Sequence, residues 1–177
     1  GGSAEEEDDD VKGWVIRGLG RGFRDNPQEI AELANAKAMG LKEGDPTGAY
    51  PVAFKHFPTH GRARDSHQLV RAEDDRELAE IKDHCERTYG VLSDHADIVM
   101  TNHVIYKNSP DSEIPAGLSS WWLGYGRHLF PRSVVISDCM AMGAIDALDM
   151  SLEESICYTS SPVDYIKETG IDCVINF

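Results

Sequence analysis

Tyr50 to His67 reads Y-P-V-A-F-K-H-F-P-T-H-G-R-A-R-D-S-H. A short apolar run, Val52-Ala53-Phe54, ends in Lys55-His56. A loop containing Pro58 and Gly61 follows, and it closes on Asp65-Ser66-His67. Lys55, three histidines and a carboxylate therefore fall within thirteen residues at the end of one predicted strand. Core packing asks for few such groups. A strand that delivers reactive side chains to one end of a sheet asks for all of them.

The same arrangement recurs downstream. Asp97-Ile98-Val99-Met100-Thr101 is a predicted strand ending in Asn102-His103, and Ser133-Val134-Val135-Ile136-Ser137 is another ending in Asp138. Cys173-Val174-Ile175 is the last. Helices are predicted between them. Asn26, Pro27 and Glu29 are start signals, followed by an apolar face of Ile30, Leu33, Ala34, Ala38 and Leu41, with Gly44 at the end. Asp75 to Tyr89 is a second helix, closed by Gly90, and Leu118 to Phe130 a third. Short helices are expected over Ala141–Leu148 and Pro162–Thr169, and a weak strand at Trp14-Val15-Ile16. Short, consecutively apolar strands alternating with helices at roughly 35–45 residue intervals describe parallel βαβ units. Polar groups after three successive strands point to the C-terminal mouth of a (β/α) barrel. The fold class is thus α/β, a partial TIM-like barrel. A complete barrel needs about 250 residues, and the chain has 177, so the pattern corresponds to about the second half. An open half-barrel exposes two sheet edges and an apolar interior, and a complementary barrel half or a homo-oligomer is the expected cover.

Composition narrows the function classes. The net charge of −14 opposes binding to nucleic acid or an anionic membrane. No apolar run approaches the roughly 18 residues of a membrane span. No signal peptide is visible, so a cytoplasmic location is expected. Glu5 to Asp10 is an unbroken acidic run, and residues 1–11 read as a solvated tail ahead of a catalytic domain at 12–177. Cys85, Cys139, Cys157 and Cys173 form no C-x-x-C pair, and Cys139 and Cys173 read as small buried residues.

The candidate chemistry has competing readings. Asp138 is either the N-cap of the following helix or a nucleophile or electrostatic stabiliser at a pocket. Asp65 and His67 are either scattered loop residues or a carboxylate orienting an imidazole for acid–base work near neutral pH. His56, His60, Asp65, His67 and His103 are the possible metal ligands. Pro58 separates the first two, however, and neither H-x-H nor H-E-x-x-H occurs, so no metal is expected.

K-H-F-P-T-H-G…D-S-H resembles the K-H-F-P-G-H-G…D-S-H signature of glycoside hydrolase family 3, in its NagZ-type β-N-acetylglucosaminidase branch. Arg21-Gly22-Phe23 with Asp25 and Pro27 is similar to the family's R-x-F-x-x-D-P turn. Asp97 to Tyr106 is similar to D-x-V-M-x-x-H-V-x-Y, and Pro115-Ala116-Gly117 with Trp122-Leu123 to P-A-S…W-L. Val134 to Asp138 with Met140 and Met142-Gly143-Ala144 is similar to V-I-S-D-D-L-S-M-x-G-A. The resemblance covers about Leu19 to Phe177. It implies removal of terminal β-linked N-acetylglucosamine from a glycan or glycopeptide with retention, as in peptidoglycan recycling, without a cofactor. By motif, Asp138 is the implied nucleophile, His67 the acid/base and Asp65 its partner, while Arg21, Lys55 and His56 contact sugar hydroxyls. Histidine in place of a carboxylic acid also keeps a phosphorylase in view. A non-catalytic truncated barrel and a metal-dependent barrel hydrolase are the alternatives from other classes. The chain departs from the pattern at Thr59, where glycine is usual, and at Cys139, where an acid is common. It also has one residue fewer between Gly61 and Asp65.

Overall fold

A computed structural model describes residues 20, 22–23, 25–68, 71–92, 94–148 and 173–175. The acidic tail, the Trp14–Ile16 strand, Arg21 and the helix expected over Pro162–Thr169 lie outside these residues.

The first helix, α1 (Pro27–Glu43), starts as its sequence dictates: the Asn26 side chain accepts from the backbone N–H of Gln28 and Glu29. Its buried stripe is Ala31, Ala34 and Ala38. The stripe is rotated from the predicted face, and Leu33 and Leu41 are each 41% exposed. Small alanines let α1 approach its neighbour, the helix α2 (Leu78–Leu92), where leucines would hold the two apart. α2 runs through Gly90 rather than stopping there. That glycine faces open space, and Leu92 behind it is buried and holds the last turn. The helix α3 (Ser120–Leu129) is capped by Ser119 Oγ, which accepts from Trp122 N at 3.0 Å.

Four strands, β1 (Ala53–Phe57), β3 (Ile98–Thr101), β5 (Val134–Cys139) and β6 (Cys173–Ile175), pair in parallel in the order β1-β3-β5-β6. Register places Phe54, Val99 and Val135 side by side, all buried. The alternate residues Ala53, Ile98 and Val134 form the neighbouring row, and Lys55, Met100 and Ile136 the row above it. This second face is more open, and Val134 is 46% exposed. Sequential parallel strands with helices on one face form a stretch of (β/α)-barrel wall, and the open face is the one that lines a barrel's interior.

The covered face is cemented by aromatic rings. Phe57 from β1 meets Tyr89 at 5.4 Å and Phe130 at 5.1 Å, both edge to face, and Tyr106 meets Trp122 at 4.8 Å. One carboxylate ties three strand and helix ends together. Asp97 pairs with Lys42 at 2.7 Å and accepts from Val52 N at 2.9 Å.

A second parallel ribbon, β2 (Glu73–Asp74) with β4 (Ile105–Tyr106), has no counterpart in the sequence reading. Two-residue strands carry no periodicity. This one is held by the buried Asp74 carboxylate, which takes the Arg76 guanidinium through both oxygens, at 2.6–3.1 Å. The same pairing delays the start of α2 to Leu78, three residues beyond the predicted Asp75.

Candidate active site

The loop after β1 is built by residues from other strands. Asn102 Nδ2 donates to Thr59 O and to Tyr106 Oη, both at 3.0 Å, and Asn102 N donates to Phe57 O at 2.9 Å. Tyr106 Oη in turn donates to Thr59 O. Asn102, first singled out as a reactive group after a strand, is therefore a buried brace for the turn at Pro58-Thr59. The peptide bonds Lys55–His56 and Phe57–Pro58 in this segment are cis. Gly117 lets the Pro115–Ser119 segment lie directly on the end of β3. A Cβ there would stand 2.9 Å from both Asn102 O and Thr101 Oγ1.

β5 runs on to Cys139, so Asp138 lies within the strand rather than beyond it. It caps no helix. The short helix α4 (Gly143–Asp146) has Met142 at its N-cap, with no side-chain cap bond, while Asp138 Oδ1 accepts from Cys139 N at 2.9 Å. Its other oxygen, Oδ2, is 3.6 Å from His56 Nε2. Asp138 follows Ile136, whose row includes Lys55, across a register irregularity between Ile136 and Cys139. Lys55, His56 and Asp138 thus converge at one end of the sheet. His103 is buried beneath them, its Nε2 hydrogen-bonded to Cys139 O at 3.0 Å. Burial pushes the His103 imidazole below its ordinary pKa and prevails over the Asp138 carboxylate, which raises it.

Asp65 and His67 form the second cluster. Asp65 Oδ1 accepts from His67 N at 3.0 Å and meets His67 Nδ1 at 2.7 Å. Burial pushes the Asp65 carboxyl up, but the two bonds from His67 outweigh it and hold the group below the usual carboxylate value. The His67 ring is 63% exposed, with Nε2 left for a partner in solution. His60 lies between the two clusters. It is packed edge to face on His56 at 5.8 Å and hydrogen-bonded through Nε2 to Ser66 Oγ at 3.2 Å. Burial lowers its pKa, against its own backbone carbonyl and the carboxylates of Asp138 and Asp65, which raise it.

Five of the six predicted site residues are thus placed: Lys55, His56 and Asp138 at the strand ends, Asp65 and His67 on the loop. Arg21 lies outside the described residues. His60 and Ser66 were not read as one unit from sequence, although both lie inside the K-H-F-P-T-H-G…D-S-H signature. Among the described residues no three His, Cys, Asp or Glu side chains are grouped as metal ligands.

Residues 12–160 match the Glycosyl hydrolase family 3 N terminal domain. A β-hexosaminidase of Neisseria meningitidis serogroup C is 33% identical over 163 residues, covering 84% of this chain and 44% of the relative. A β-hexosaminidase of Idiomarina loihiensis is 30% identical over 133 residues, covering 75% of this chain and 36% of the relative. The crystal structure of native NagZ from Neisseria gonorrhoeae superposes with a TM-score of 0.65 at 29% identity, over 92% of this chain and 43% of that one. The chain spans less than half the length of these relatives. With residues 12–160 of the chain matching the family's domain and a parallel βα wall in place, the chain belongs to glycosyl hydrolase family 3.

Proposed function

We propose that this chain carries the reacting groups of a retaining β-N-acetylglucosaminidase, within a larger catalytic domain. The observation that carries the proposal is the Asp65–His67 pair at 2.7 Å, on the loop that leaves the strand whose His56 reaches Asp138. Retaining hydrolysis needs a carboxylate to attack the anomeric carbon and a proton donor for the departing oxygen. Asp138 supplies the first. It forms a glycosyl ester as the C–O bond breaks, and His67 gives its proton to the leaving alcohol. His67 then takes a proton from water, and that water displaces Asp138 and restores both groups. Asp65 orients the ring through Nδ1 and stabilises the imidazolium when the ring is charged. Lys55, His56 and Arg21 hold sugar hydroxyls.

The β-hexosaminidase names of the relatives support N-acetylhexosamine as the sugar. The natural substrate is then a glycan or glycopeptide ending in β-linked N-acetylglucosamine, of the kind released in peptidoglycan turnover. No helix among the described residues is long and apolar enough to cross a membrane, and a cytoplasmic enzyme fits this substrate. The open sheet face is closed by the rest of the barrel, whether that lies elsewhere in the same polypeptide or in a second chain.

The test is release of p-nitrophenol from its β-N-acetylglucosaminide by the full-length protein, together with Asp138→Ala. Loss of about 10³-fold or more in kcat is expected, and activity equal to wild type would refute the assignment. Phosphate-dependent appearance of the sugar 1-phosphate would recast the enzyme as a phosphorylase. A neutral His67 repels incoming phosphate less than a carboxylate would. A folded, full-length protein without turnover would make this chain a binding or assembly module.

A further inference from the structure

The Asp65-Ser66-His67 segment lies on the surface at its two outer residues, but its middle residue is only 2% exposed. Ser66 is held from two directions. Its hydroxyl is bonded to Nε2 of His60 at 3.2 Å, and its carbonyl accepts from Ala144 N at 2.9 Å. The second bond has a local cause. α4 begins at Gly143 behind Met142, whose thioether is a weak acceptor and makes no cap bond, so the first N–H groups of the helix need an acceptor from elsewhere. The Ser66 carbonyl provides one. Ala144 follows Asp138 on the same short segment, and His60 touches His56, the residue facing Asp138. Both anchors of Ser66 therefore lead back to the neighbourhood of the carboxylate.

We infer that Ser66 is a positioning residue. It pins the loop bearing Asp65 and His67 to the two segments that hold Asp138, and so sets where the proton is delivered relative to where the carboxylate attacks. The inference rests on the glycosidase reading above. A loop is a poor support for a proton donor, because a displacement of about 1 Å at the reacting atoms costs about 100-fold in rate. Fixing the central residue of a three-residue unit constrains both neighbours through the backbone and leaves their side chains free to meet substrate. The hydroxyl is the adjustable part of the joint, since the carbonyl bond survives any substitution that keeps the backbone in place.

The experiment compares two leaving groups on the full-length enzyme. A β-N-acetylglucosaminyl disaccharide expels an alkoxide and needs the His67 proton, whereas the 2,4-dinitrophenyl β-N-acetylglucosaminide expels a stable phenolate and needs none. kcat/KM reports the glycosyl-transfer step for both. Ser66→Ala is expected to lower kcat/KM about tenfold for the disaccharide and less than about twofold for the dinitrophenyl glycoside. Equal losses on the two substrates, or no loss on either, would overturn the inference. Ser66→Cys keeps most of the buried volume with a much weaker hydrogen bond, and it must show the same selective loss if Ser66→Ala does not fold. Asp138→Ala separates the two readings. If it is inactive while the Ser66 variants lose both substrates equally, the pin fails and the glycosidase stands. If it is fully active, the glycosidase reading fails as well.

Discussion

Asp138 and His67 are partners in the proposed reaction, yet they are supported in opposite ways. Asp138 projects from β5, inside a parallel ladder, with an 18% exposed side chain, His56 beside it and buried His103 bonded to the next carbonyl. His67 projects from a loop with a ring 63% exposed, and its nearest support is Asp65, two residues away on the same loop. The group that must form a bond to carbon is held by the sheet. The group that must take and return a proton is held by a short tether anchored at Ser66. Proton transfer over two half-reactions involves two different oxygens, the leaving group and then water. A tethered imidazole serves both, whereas a carboxylate attacking one carbon gains from being fixed.

Four experiments break or sharpen this contrast. Asp138→Ala has the largest expected effect: about 10³-fold or more in kcat, irrespective of leaving group, because every substrate needs the attacking carboxylate. His67→Ala is expected to cost about 10²-fold or more in kcat/KM with an alcohol leaving group. Its loss with the dinitrophenyl glycoside should be far smaller, and added azide should restore turnover of that substrate by replacing water as the nucleophile. A uniform loss across leaving groups would show that His67 is not the acid. Asp65→Asn keeps an oxygen for His67 to bond but removes its charge. The difference between a charge-assisted and a neutral hydrogen bond, about 1–1.5 kcal/mol, corresponds to roughly a tenfold loss in kcat/KM for the alcohol substrate.

The smallest effect concerns the sheet rather than the loop. Asp97→Asn should lower stability by well under about 1 kcal/mol at neutral pH, because its pairing with Lys42 is solvent-screened. Burial pushes the Asp97 carboxyl up, but Lys42 and Val52 N–H pull its folded pKa below the usual 3.8. The advantage over asparagine is therefore present above that value and disappears as pH falls through the lower folded one. Denaturant melts along a pH series check this, and an advantage that grew in acid would contradict it. The buried histidines act at higher pH. Folded pKa values of His60 and His103 below 6.5 mean that the unfolded chain takes up protons first, so stability should fall as pH drops below about 6.5.

How much of this was legible beforehand differs by element. The parallel βα rhythm and the Asn26 cap rest on signals within a few residues, and the structure has them where the pattern put them, whereas the strands run past Lys55, His56 and Asp138 instead of ending before them. The face of α1 differs from the predicted one because a hydrophobicity pattern favours leucine, whereas close helix contact favours alanine. α2 continues through Gly90 because Leu92 has a place to bury, which nothing local reveals.

Local sequence alone determined the alternation of strands and helices, and it set Asp65 and His67 two residues apart on one loop, within reach of each other. Tertiary structure decided what depends on distant partners. Asn102 became a brace for Thr59 instead of a reactive group. Asp138 became part of a strand instead of a helix cap. The uncapped start of α4 found its acceptor at Ser66. Each of these is a hydrogen-bond account balanced across tens of residues of chain, and buried polar groups must be satisfied by whatever the fold brings within reach.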